Sequence, residues 1–273
     1  MNSQDLFDLG LQADLAMVKQ SPLSRRRVLK LGLLGISALL ASCVSPGATA
    51  TTGSTGSTSG CVNTIPTETA GPYPADGSNA SNQTLNALAL SGIVRRDIRT
   101  SLGTQHVALG VPFNIELTLV NTNASCAPLA GYAVYLWHCN RDGAYSLYSN
   151  PITAEDYLRG VQATDSDGKA AFTSIFPACY SGRWPHVHFE VYPSLEKASG
   201  SGNIVHTSQM ALLEDVCKTV YATDGYADSA RNLSQVSLSS DNVFGDGAGL
   251  QLATMTGDVT SGYTAALTVG IAA

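Results

Sequence analysis

From about position 63 onward, short apolar runs that alternate with polar residues recur along the chain, separated by turn residues. Runs with strand character are 90–94, 112–121, 133–139, 170–175, 186–192, 207–213, 250–254 and 263–269. The breaks between them carry turn pairs: Asp142-Gly143, Asp167-Gly168, Ser201-Gly202 and Ser261-Gly262. Alternation puts successive side chains on opposite faces of a strand, so each run predicts a strand with one core-facing row. Strands this short and this regularly spaced predict an antiparallel sandwich or barrel. Helical periodicity is confined to 154–157 and 214–221.

The first 62 residues carry a different pattern. Arg25, Arg26 and Arg27 precede an apolar run from Leu31 to Ala41. That run falls short of the roughly 20 residues that a membrane span requires. The order Ser-Arg-Arg-x-Val-Leu-Lys, then a short apolar stretch, matches a twin-arginine export signal. Leu40-Ala41-Ser42-Cys43 has the form of a bacterial lipobox, which predicts lipid on Cys43 and attachment to a membrane of the cell envelope. Residues 44–62 are rich in Ser, Thr and Gly and predict a tether. The expected organisation is a signal with lipobox over 1–43, a linker over 44–62 and one globular domain over 63–273.

Charged residues make up 13% of the chain and glycines number 26, which favours strands and turns over long surface helices. The formal net charge of −6 argues against nucleic acid as a partner, since the one basic run belongs to the leader. Besides Cys43 the sequence has Cys61, Cys126, Cys139, Cys179 and Cys217, an odd number that leaves at least one thiol unpaired. Cys61 and Cys126 are candidates to pair with each other or with Cys217. A bridge between Cys139 and Cys179 is a further candidate.

The stretch Tyr180-Ser-Gly-Arg183-Trp-Pro-His186-Val-His188 carries the chemistry. Two histidines two apart on a strand share a face, with Val187, Phe189 and Val191 on the other. Two neutral imidazoles make half of a metal site. Tyrosinate is a hard anionic ligand suited to ferric iron, and arginine can hold a developing oxyanion. Tyr145 follows the Arg141-Asp142-Gly143 turn at the position where a rim side chain points into a site.

The order W-H-C-N-x-D-G-x-Y, then L-R-G-x-Q, then F-P-x-C-Y-x-G-R-x-x-H-x-H resembles the intradiol ring-cleavage dioxygenases. Thr69 to Tyr73 is similar to the T-x-G-P-Y entry segment of that family, and Thr207 to Met210 to its T-x-Q strand. The resemblance implies an all-β fold, an antiparallel β-sandwich core with catalytic loops and short helices. It implies a non-haem Fe(III) cofactor held by Tyr145, Tyr180, His186 and His188. It places Arg183 and Gln209 beside a bound catechol ring, and gives Tyr180 a second role as the ligand that leaves and accepts a proton. The implied partners are a small catecholic compound and O2, and the implied product is a cis,cis-muconate; an oligomer is compatible with the sequence. One departure from the pattern is Ala178, where the family turn P-G-x-Y has glycine. If that position needed a positive φ, Ala178 would be strained. Two other readings use the same residues: a non-catalytic exported β-sandwich binding lipoprotein, and a zinc or copper site.

Overall fold

The computed structural model describes residues 61–273. The predicted signal and the predicted linker up to residue 60 lie outside them. The described part is mostly β, with nine strands in two sheets and two short α-helices.

The first sheet is built around β1 (Pro112–Asn121), whose burial alternates along its length. Phe113, Ile115, Leu117 and Leu119 point inward, as the alternation predicts. β1 pairs antiparallel with β2 (Ala127–Pro128) and β5 (Lys169–Ile175). On its other side it pairs with β9 (Gly262–Ile271), which itself pairs with β8 (Thr254–Asp258). The second sheet has the order β4 (Arg159–Ala163), β3 (Ala133–Trp137), β6 (His186–Tyr192), β7 (His206–Ala211). The expectation of a wholly antiparallel core needs one correction, because β1 and β9 run parallel. Parallel neighbours need a long connection, and here the other seven strands lie between the two.

The sheets contribute to one hydrophobic cluster. It joins Phe113, Ile115 and Leu117 of β1 with Val134 and Leu136 of β3 and Val187, Phe189 and Val191 of β6. Every residue of β3 and β6 is buried, so these strands are covered on both faces. The second face holds Tyr135, Trp137, His186, His188, Glu190 and Tyr192. Part of the chain before β1 covers it, with Tyr73, Ala75, Ala87, Leu88 and Ile93 packed against Tyr135 and Trp137.

Three predicted elements differ. Residues 90–94 form a turn, with Gly92 at φ 90° and only Val94 bridged to Val161. Residues 250–254 make one isolated bridge, Ala211 to Leu252, and the strand begins at Thr254. Residues 154–157 are not helical; four residues cannot offset the cost of a helix nucleus. The predicted helix over 214–221 is present as α1 (Glu214–Tyr221), and α2 (Ala227–Leu233) follows it. Cys61 and Cys126 form a disulfide, while Cys139, Cys179 and Cys217 are buried free thiols. Among the described residues no helix is long and apolar enough to cross a membrane.

Candidate metal centre

Three pieces of backbone bring the site together: the turn after β3, the loop before β6, and the first residues of β6. The turn is built on Asn140, whose Oδ1 accepts from the backbone N–H of Asp142 and Ala144 at 3.0 and 2.9 Å. Gly143 sits at φ 83°, and a Cβ there would lie 3.2 Å from Tyr180 Cβ. Glycine is therefore needed twice, for the turn and for the approach of Tyr180. Tyr145 follows, its N–H donating to Ser149 Oγ at 3.0 Å and its ring 4.9 Å from that of Tyr73.

The loop carrying Tyr180 is held from the helices. Tyr221 and Tyr226 donate to the carbonyls of Pro177 and Phe176 at 3.0 and 2.8 Å. Ser229 Oγ accepts from the Cys179 N–H at 3.0 Å, and Asn232 Nδ2 donates to the Cys179 carbonyl at 2.8 Å. Ala178 is not among the residues with positive φ, so alanine stands in this turn without strain. The loop closes at Gly182, at φ 80°.

His186 and His188 open β6 and project from one face, as their spacing predicts. Neither is half-exposed: they are 3% and 2% accessible. His186 Nδ1–H donates to the Trp184 carbonyl at 2.5 Å, which leaves its Nε2 a lone pair. His188 stacks on Trp137, ring centroids 5.0 Å apart and planes 5° from parallel. Burial and the charge of Arg183 push His186 down to about 3. Burial and the neighbouring His186 hold His188 well below the usual histidine range. Both rings are therefore neutral near pH 7, the form that ligates a metal.

The four side chains converge. His186 Nε2 lies 3.0 Å from His188 Nε2 and 3.3 Å from Tyr180 Oη, and the two phenol oxygens are 3.5 Å apart. Donors each about 2.0–2.2 Å from a shared cation are separated by roughly 3.0–3.5 Å, so the spacing fits one ion. The donor set, two nitrogens and two phenol oxygens, suits a hard trivalent metal better than zinc or Cu(I). Among the described residues no group of three or more His, Cys, Asp or Glu side chains could hold a metal, so a centre here draws on the tyrosines.

Beside the cluster, Arg183 is fully buried, which excludes a surface ion pair. Its Nε donates to Asp241 Oδ2 at 3.0 Å, and its Nη2 donates to Gln209 Oε1 at 2.7 Å. Gln209 lies directly opposite His188 on β7 and donates from Nε2 to the Thr69 carbonyl at 2.9 Å. Burial opposes ionisation of Asp241, yet Arg183 and the Trp184 N–H outweigh it and keep the carboxyl low. All six predicted site residues thus come together in one region.

Several residues in this region were not singled out from sequence. Asp241 lies in a Ser-Asp-Asn stretch that reads as an ordinary turn. Trp137 reads as one more apolar strand residue. Arg159, in the L-R-G-x-Q run, is buried and donates to the carbonyls of Pro74, Tyr73 and Ser146 at 3.0, 2.9 and 3.0 Å, clamping the entry segment over the site. The L-R-G-x-Q run itself was the one signal for it. His138 accepts no metal role: its ring bonds Ser174 Oγ at 2.7 Å and the Cys139 carbonyl at 2.8 Å.

A family model described as Dioxygenase matches residues 103–197, the segment that contains Tyr145, Tyr180, Arg183, His186 and His188. An intradiol ring-cleavage dioxygenase from Tetranychus urticae is 24% identical, over 66% of this chain and 87% of its own, with a TM-score of 0.55. A second dioxygenase structure is 23% identical over the same shares, 66% and 87%, with a TM-score of 0.53. No curated protein matches the sequence. The family-model match covers the central segment of the chain, and the described residues share the fold of these two dioxygenase structures.

Proposed function

We propose that this protein is a non-haem Fe(III) dioxygenase that opens the ring of a catecholic compound between its two hydroxyls, adding both atoms of O2 to give a cis,cis-muconate-type product. The observation that carries this is the convergence of His186, His188, Tyr145 and Tyr180 donors at 3.0–3.5 Å beside a buried Arg183–Gln209 pair. Those four side chains would hold the ion. When bound, the ferric ion supplies Lewis acidity that draws electron density from a chelated catechol.

The residues supply the rest. Tyr180 is the half-buried member of the set while Tyr145 is only 2% exposed, so Tyr180 is the donor placed nearest solvent and the one to take a substrate proton. Arg183, always charged, offers its guanidinium to negative charge developing on the ring. Gln209 and Asp241 fix its plane from two sides. The burial of both histidines keeps bulk solvent from their rings. The family fold is read as a β-sandwich, in agreement with the single cluster filled from both sheets.

The leader completes the reading: export by the twin-arginine route and attachment through lipid on Cys43. The Cys61–Cys126 disulfide suits an oxidising compartment. The substrate would then be a catechol met outside the cytoplasm.

The test is oxygen uptake with catechol under labelled O2. One O2 consumed per ring opened, with both labelled atoms in a dicarboxylate product, supports the proposal. A product with an intact ring, or with one labelled atom, contradicts it.

A further inference from the structure

Behind the two imidazoles, the same sheet face holds polar atoms that the four-donor cluster does not use. His188 Nδ1, Trp137 Nε1 and Glu190 Oε1 are all buried and have no hydrogen-bond partner among the described residues. Glu190 is 0% exposed. The three side chains are neighbours by register. Trp137 stands directly opposite His188, and Tyr135 directly opposite Glu190. His188 and Glu190 are two apart on β6 and so share a face, with Cα atoms about 7 Å apart.

The other groups nearby are two tyrosine hydroxyls and Asp76, whose carboxyl also faces that of Glu190. The Tyr135 hydroxyl donates to the Pro74 carbonyl at 2.7 Å, and Tyr192 donates to the second Glu190 oxygen at 2.8 Å. Asp76 Oδ1 accepts from the Ser78 N–H at 2.9 Å. A buried polar atom left without a partner costs about 1–3 kcal/mol, and three in one patch make an unshared arrangement expensive. One water spans two heavy atoms roughly 5.5 Å apart with two ordinary hydrogen bonds, and a buried water needs two to four polar partners.

We propose that Glu190 is a positioning residue for His188, linked to it through one buried water that also accepts from the Trp137 indole N–H. The water holds one hydrogen bond with each of His188 Nδ1 and Glu190 Oε1, whichever end carries the proton. The link fixes the His188 ring from behind and leaves Nε2 aimed at the donor cluster. Metal-bound histidines are commonly held this way through their other ring nitrogen. The role rests on the metal site proposed above, but the water itself does not.

The chain contains two tryptophans, which makes the test simple. In metal-free, full-length protein, the two indole N–H signals are examined for magnetisation transfer from a long-lived water. Trp184 Nε1 donates to the Leu212 carbonyl at 2.9 Å and serves as the internal control. The Trp137 signal is expected to show the water cross-peak and the Trp184 signal to lack it. Absence at Trp137 in the wild-type chain overturns the water link, and this reading requires no variant to fold. The positioning role is read from Fe(III) retention against a competing chelator. Glu190→Leu is expected to weaken retention 10–100-fold, and Glu190→Gln, which keeps an oxygen at the same place, to stay within about threefold of wild type. Wild-type retention in the Leu variant overturns the role. A wild-type chain that holds no ferric ion contradicts the proposed function instead, and the Trp137 cross-peak still decides the water.

Discussion

Arg183 and Asp241 form an ion pair, Nε to Oδ2 3.0 Å, in which neither side chain reaches solvent. The same carboxylate oxygen accepts from the Trp184 N–H at 2.7 Å, two residues before His186. The pair therefore joins the Arg183 charge to the backbone that sets the histidines.

Removing one partner of a buried pair leaves the other charge uncompensated, at a cost of about 3–5 kcal/mol. Asp241→Ala is expected to lower unfolding stability by that amount in urea titration. Arg183→Ala is expected to do the same, so it reports on folding as well as chemistry. Arg183→Lys keeps the charge but loses the planar fork that reaches Asp241 and Gln209 together. It should fold and lose about 10²–10³ in turnover. A loss under about 1 kcal/mol in Asp241→Ala would show that the pair is not structurally important.

Tyr145→Phe and His186→Ala each remove a buried donor and should lose most bound iron, measured by metal analysis after dialysis. Tyr180→Phe removes the half-buried donor and should retain more iron while turning over slowly. Equal iron loss in all three variants would overturn the division of roles.

Glu68, which is not one of the four donors, gives a pH dependence of its own. Burial and the nearby Asp246 push its carboxyl up to about 7, against a hydrogen bond from Gln251 Nε2 at 3.3 Å. A carboxyl raised by folding is stable as the acid, so its contribution is present below about 4.5 and lost as pH rises toward about 7. Glu68→Gln should therefore raise Tm relative to wild type at pH 8 and leave it nearly unchanged at pH 4.5. A Tm difference independent of pH would contradict this.

Much of this was legible in the sequence because the signal was periodic. The alternation in 112–121 and 186–192 fixed both strands to the residue, and the spacing of His186 and His188 put both rings on one face. What escaped had no period to read. β4 carries a glycine, an arginine and a glutamine among its five residues, and its inward side is occupied by Arg159, whose partners lie about 85 residues away at Tyr73 and Pro74. Residues 90–94 look apolar enough for a strand, but Gly92 takes a left-handed conformation that breaks it. Asp241 acquires its role only when the chain folds back onto Arg183, 58 residues earlier.

The leader is tested by export. Lys in place of both Arg25 and Arg26 should block export, and Cys43→Ala should release the exported protein from the membrane fraction. Normal export of the double variant would point to the general secretory route.

The most direct test of the central claim is metal analysis together with a visible spectrum of the purified protein. The account predicts about one ferric ion per chain and a broad visible band from tyrosinate-to-iron charge transfer, shifting when catechol is added without oxygen. Stoichiometric zinc in a colourless protein would contradict it.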